Sequence, residues 1–240
     1  LVASVVLGTG LGYRIALTLV VWLGKSMLGL GYAICGAEFI LGPIVPSNTA
    51  RGGGTVGPIV RSLAEALGSR PDHEPERAGR YLVQVGAHAN LIAAAMFLTG
   101  MGANPLVAKA AGDIFGVELT WGRWALGAIV PGLLGLAFLP LLVRALTKPS
   151  ITDVAAARTA AREQLAAMGP WSGREKGVAA VFVGMLALWI TNSLHGLGTT
   201  TVAWMGVCVL LFSGLEKWEN VTANKSAWDT MVWLGGLLAM

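Results

Sequence analysis

The residues best suited to chemistry form one short run. Pro43, Pro46, Ser47, Asn48, Thr49, Arg51 and the triplet Gly52-Gly53-Gly54 sit in a stretch that is otherwise apolar from Met27 onward. Two prolines stop a helix, and the three hydrogen-bonding side chains after them leave it broken in apolar surroundings. The helix that restarts, expected from about Thr55 to Leu67, presents free N–H groups and the positive end of its dipole. That end can seat a carboxylate, and the carbonyls closing the preceding half-helix can hold a small cation. The plain structural alternative is that Ser47 only caps the second half-helix while the glycines allow close packing.

A second interruption follows Met96-Phe97-Leu98, where Thr99-Gly100-Met101-Gly102-Ala103-Asn104-Pro105 unwinds another apolar run. Two interrupted helices in one chain mark the binding site of a secondary transporter. Thr99, Asn104 and Pro105 therefore join Ser47, Asn48 and Thr49 as candidate substrate-binding residues. Arg51 at membrane depth either makes a bidentate contact with a substrate carboxylate or pairs with Glu38. His88 and Asn90 fit helix–helix hydrogen bonding as well as a site role.

Other polar features carry no chemistry. Thr191-Asn192-Ser193 lacks a proline or glycine run and reads as an external turn, and His195 within it has no metal partner. Cys35 and Cys208 lie far apart in apolar stretches and read as core residues. No HExxH, GxSxG or GxxxxGK motif is present, and Gly8, Gly10 and Gly12 precede neither a strand nor an acidic residue. No catalytic constellation and no cofactor follow from the residues.

The elements that position these residues are read from composition. Of 240 residues 55% are hydrophobic and 12% charged, with 33 glycines and a mean hydropathy of +0.66. A water-facing shell needs about twice that charge, which excludes an ordinary soluble enzyme. The net charge of +4 comes from basic residues in the gaps between apolar runs rather than from a clustered face, so nucleic acid is not a partner. The lipid bilayer is.

Charge-free stretches then give an all-helical, polytopic membrane fold. Tyr81–Ala108 and Trp124–Val143 each suit one crossing, and Gly177–Leu215 suits two short ones. Met27–Leu67 enters and returns as a re-entrant hairpin. Residues 1–25 comprise the end of a spanning helix and an interfacial helix bearing Arg14. Residues 26–67 form the hairpin, 80–145 spanning helices with an unwound segment near 99–105, and 146–176 a cytoplasmic loop with a surface helix over Ile151–Met168. Residues 177–240 begin a second repeat, and Thr230–Met240 reads as the start of a further crossing. Of the 17 basic residues, Lys109 and Arg123 fall on one side and Arg51 within the membrane. All others fall on the opposite side, which the positive-inside rule makes cytoplasmic. Trp121, Trp124, Trp171, Trp218 and Trp228 read as interfacial anchors. The first residue, Leu1, and an apolar C-terminal run suggest an internal piece of a longer protein.

At Pro46-Ser47-Asn48-Thr49-Ala50-Arg51 and at Ala95 to Leu106 the sequence resembles the divalent anion/sodium symporter family. It is closest to the branch of citrate/succinate antiporters and 2-oxoglutarate/malate translocators. Ala167-Met168-Gly169-Pro170 and Ala227 to Leu237 fit the same branch. The resemblance implies an inverted-repeat transporter of di- or tricarboxylates in the bacterial inner membrane, a homodimer working by alternating access. It implies that Ser47, Asn48 and Thr49 form the hairpin tip, and that Ser47, Asn48 and Gly100 hold any sodium ion. Some sodium-coupled members have a serine one turn before the triplet where this chain has Pro43, which leaves both exchange and symport open. The matching triplet of a second repeat is expected beyond Met240. A membrane-embedded enzyme or an anion channel built on the same helix break is the reading from another class.

Overall fold

The computed structural model describes residues 2–45, 47–225, 228, 229, 232, 233 and 236; Pro46 and most of the expected crossing at Thr230–Met240 lie outside the described residues. The described residues form helices α1 (Val2–Thr9), α2 (Leu11–Leu23), α3 (Met27–Leu41), α4 (Asn48–Arg51), α5 (Gly57–Ala66), α6 (Gly79–Met96) and α7 (Ala103–Phe115). They continue through α8 (Trp121–Thr147), α9 (Ala155–Ala167), α10 (Gly173–Ile190), α11 (Asn192–His195), α12 (Thr199–Phe212) and α13 (Trp218–Thr222).

Local chemistry sets the boundaries. Gly10, at φ 76°, divides α1 from α2 in a left-handed conformation that favours glycine. Ser26 caps α3 by accepting the Gly29 N–H at 3.0 Å, and Thr120 caps α8 through the Arg123 N–H. Ser172 and Glu175 cap α10 reciprocally, each side chain accepting the other's backbone N–H.

Helix α6 lies at the centre and packs against α8, α3 and α5, while α2 lies between α3 and α9, and α10 pairs with α12. Tyr81, Leu82, Val85, Ala89 and Ala93 of α6 are buried against this surround. Helix α8 exposes Leu126, Val130, Leu134, Phe138 and Leu142. Among the described residues it is the one helix long and apolar enough to cross a membrane. Helices α6 and α10, at 18 residues each, reach about 27 Å at 1.5 Å per residue.

Several expectations are corrected. The helix after the first break restarts at Asn48 rather than near Thr55, because Ser47 caps it there. It continues through a π-helical turn, Gly52–Val56, directly into α5. The second break is shorter than expected, spanning Phe97–Gly102, with Asn104 and Pro105 in the first turn of α7, where proline is tolerated. The helix expected over Ile151–Met168 is α9, and it is not a bare surface helix. Ala157 and Ala161 are buried against α2 and α5, and Gln164 joins the Tyr13 and Ser62 hydroxyls at 2.6 Å each.

Arg14 is buried within the protein. Its Nε donates to Glu175 Oε1 at 2.7 Å and its terminal nitrogens donate to Gly169 O and Met168 O. The guanidinium lies 5.6 Å over the Trp171 ring. These bonds hold the Glu175 carboxyl below the usual glutamate range, against the opposing effect of burial.

Candidate functional site

The first break is set by the Gly42-Pro43 end of α3, where the Ile44 and Val45 N–H groups both return to Leu41 O. Ser47 then accepts the Ala50 N–H on Oγ at 3.2 Å and the Arg51 N–H on its carbonyl at 3.0 Å. Among the described residues no hydrogen bond engages the Asn48 amide or the Thr49 hydroxyl; Asn48 is half-buried and Thr49 exposed. The tip thus carries two uncommitted polar side chains at the start of a helix, which suits an anion.

Arg51 sits directly behind this tip and is wholly buried. Its Nε donates to Glu38 Oε2 at 2.5 Å, one terminal nitrogen donates to Val45 O at 3.1 Å and Gly100 O at 3.5 Å, and the other donates to Asn90 O at 3.1 Å. The guanidinium therefore collects carbonyls from both helix breaks and is neutralised by α3. Of the two arrangements open from sequence, pairing with Glu38 is the one the structure contains. Asn90 locks the arrangement, since its Nδ2 donates to Glu38 Oε2 at 3.0 Å and to Asn48 O at 3.1 Å.

The second break meets the first through Thr99. Its hydroxyl donates to Pro43 O at 3.2 Å and accepts the Trp121 indole N–H at 3.1 Å. Trp121 is 5% exposed and stacks between Phe97 and Trp189, with Phe39 tilted against Phe97. It is a core residue, not the interfacial anchor expected. Gly100 cannot be replaced without movement, because a Cβ there would lie 2.5 Å from Ala94 O. Asn104 is buried, and its amide donates to Ala94 O and Phe97 O at 2.8 Å each, closing the end of α6. Pro105 is exposed on the next turn. The structure thus brings Ser47, Asn48, Arg51, Thr99 and Gly100 to one junction, with Asn104 supporting it from behind.

A cavity of about 350 Å³ lies beside the junction, lined by Glu38, Gly52, Val60, Val83, Gly86 and Asn90 among others. The second oxygen of Glu38 is buried without a hydrogen-bond partner. Among the described residues no cluster of three or more His, Cys, Asp and Glu side chains could hold a metal. Gly100 O, one of the atoms the resemblance implies for a sodium ion, lies 3.5 Å from a terminal nitrogen of Arg51. Sequence reading undervalued Asn90 and missed Trp121. An amide inside an apolar helix was the available signal for the first, but nothing in sequence separates a buried tryptophan from an interfacial one.

Comparison with known proteins sets this junction in context. The sodium:sulfate symporter transmembrane region matches residues 1–240. The chain is 40% identical to the inner membrane protein YbhI of Escherichia coli (strain K12), over 97% of this chain and 48% of the relative. It is 39% identical to dicarboxylate transporter 1, chloroplastic, of Arabidopsis thaliana, over 97% and 42%. It is 35% identical to the L-tartrate/succinate antiporter of Escherichia coli (strain K12), over 97% and 48%. The chain spans about half the length of these relatives. The break containing Ser47, Asn48 and Thr49 thus lies in a membrane transporter sequence, and the chain belongs to the divalent anion/sodium symporter family, whose sodium:sulfate symporter transmembrane region it matches from end to end.

Proposed function

We propose that the full-length protein exchanges di- or tricarboxylates across the bacterial inner membrane and does not couple them to sodium. The observation that carries this reading is the Arg51 guanidinium, a permanent cation that lies 3.5 Å from Gly100 O, one of the atoms the resemblance implies for sodium, and donates to Val45 O at 3.1 Å. The Glu38–Arg51 pair is neutral overall, so the attraction for the anion comes from the free donors and the helix end at the break; these stay with the protein, and each dicarboxylate is replaced by another before the site returns. The anion is held by the amide of Asn48, the hydroxyl of Thr49 and the helix end capped by Ser47, while Arg51, paired with Glu38, ties the two breaks together rather than making a bidentate contact. Met27–Leu67 is a re-entrant hairpin. A second, inverted repeat supplies the other half of the site, and two copies of the protein form the transporter. The relatives' names, a dicarboxylate transporter and a tartrate/succinate antiporter, support the substrate class.

The test is uptake of labelled succinate into liposomes bearing the full-length protein. Exchange predicts uptake that requires unlabelled succinate inside and ignores an inward sodium gradient. Uptake driven by that gradient into liposomes without internal anion would overturn the reading.

A further inference from the structure

We propose that the cytoplasmic ends of α5 and α6 form a binding groove for one anionic phospholipid. The groove has a volume of about 540 Å³ and is lined by Arg61, Arg70 and Arg80 together with apolar surface from Ala64, Pro75 and Val83. The carboxylate in its lining, Glu65, is already paired with Arg61 at 2.9 Å. Arg70 and Arg80 have no ion-pair partner among the described residues, so the groove keeps two uncompensated cations.

The loop carrying Arg70 is held in shape. Ser69, 1% exposed, donates its hydroxyl proton to Glu74 O at 2.7 Å and accepts the Gly79 N–H at 2.9 Å. The Arg70 and His73 backbones exchange hydrogen bonds. This pins Arg70 beside Arg80 at the start of α6, where the helix dipole also favours negative charge.

The apolar part of the groove selects an amphiphile over a soluble anion. From Val83 the outer face of α6 continues through exposed Ala87 and Leu91 at four-residue spacing, a track for an acyl chain descending from the headgroup. The smaller cavity above Asn90 adjoins the groove through Arg61 and Val83, the residues common to both linings. A phosphate diester at the arginines with its chains along α6 satisfies both halves, as basic pockets between membrane helices do. The proposal depends on the membrane location of the chain and not on what it transports.

The experiment is native mass spectrometry of the full-length protein released from nanodiscs of phosphatidylcholine doped with phosphatidylglycerol. The wild type should retain one phosphatidylglycerol, and neither inorganic phosphate nor succinate should displace it. Arg70→Gln with Arg80→Gln should weaken retention about thirtyfold, equivalent to ~2 kcal/mol at ~1 kcal/mol per basic residue. Lys148→Gln with Lys176→Gln, which removes the same charge elsewhere, should leave retention unchanged. Equal retention of phosphatidylcholine by the wild type, displacement by succinate or phosphate, or equal losses in both double variants would each overturn the proposal; the first two need no variant to fold.

Discussion

Asn90 on α6 reaches Asn48 at the first break, its amide donating to the Asn48 carbonyl at 3.1 Å while also binding Glu38 Oε2 at 3.0 Å. One side chain therefore sets both the height of the tip and the orientation of the carboxylate that neutralises Arg51. Asn90→Leu should reduce succinate exchange severely and lower the melting temperature, because it leaves a buried carboxylate short of a donor at about 1–3 kcal/mol. Normal exchange kinetics in that variant would show that the bridge is incidental.

The Glu38–Arg51 pair predicts a strong double-mutant coupling. Glu38→Met or Arg51→Met alone strands a buried charge and should cost about 3–5 kcal/mol, whereas the double change should cost far less. Melting of the full-length protein in detergent reads the stability, and exchange in liposomes should remain low in the double variant. Simple additivity of the two single losses would refute the pairing.

The tip residues separate binding from folding. Asn48→Ala removes a side chain with no hydrogen bond among the described residues, so it should abolish flux with little change in melting. Ser47→Ala should abolish flux and also cost about 1 kcal/mol through loss of the cap on Ala50. Near-normal uptake in both would reduce the triplet to a structural role.

Gly100→Ala should be more damaging than its size suggests. The added carbon meets Ala94 O at 2.5 Å, so the Phe97–Gly102 segment must shift and carry the Gly100 carbonyl away from Arg51. Expected outcomes are a loss of exchange and a lower melting temperature; an unchanged protein would show that the segment is pliant.

Arg14 and Glu175 predict acid sensitivity. Because the folded Glu175 carboxyl titrates below its ordinary value of about 4.3, the stabilisation is complete above that value and is lost as pH falls through the lowered one. The melting difference between wild type and Glu175→Gln should thus be constant at neutral pH and shrink in acid. A difference that grew on acidification would contradict the sign.

What sequence made legible was punctuation. Pro43, Pro46 and the glycines announce the first break, and Gly100, Gly102 and Pro105 announce the second, because these residues act locally through their own backbone limits. Partnerships across the fold were not legible to the same degree. Asn104 is a polar residue near a break whether it faces a ligand or, as here, ties off the end of α6. The partner of Arg14, Glu175, lies 161 residues away in sequence, and nothing in the local pattern points to it. The early restart at Asn48 also escaped notice, because a glycine run reads as coil unless a capped helix on one side and a packed one on the other hold it in a π turn.

That π turn, Gly52–Val56, closes with the Gly57 N–H on Gly52 O and accommodates one residue more than an α-helical turn would. Since each residue advances an α-helix by about 100°, the bulge works as a fixed phase offset between Asn48–Arg51 and the core face of α5 at Ile59, Val60 and Leu63. The bulge thereby turns the Asn48–Arg51 side chains, Arg51 toward Glu38 among them, relative to that apolar face. Removing any one of the three glycines would cancel the offset and swing the tip by more than a quarter turn relative to the body that carries it.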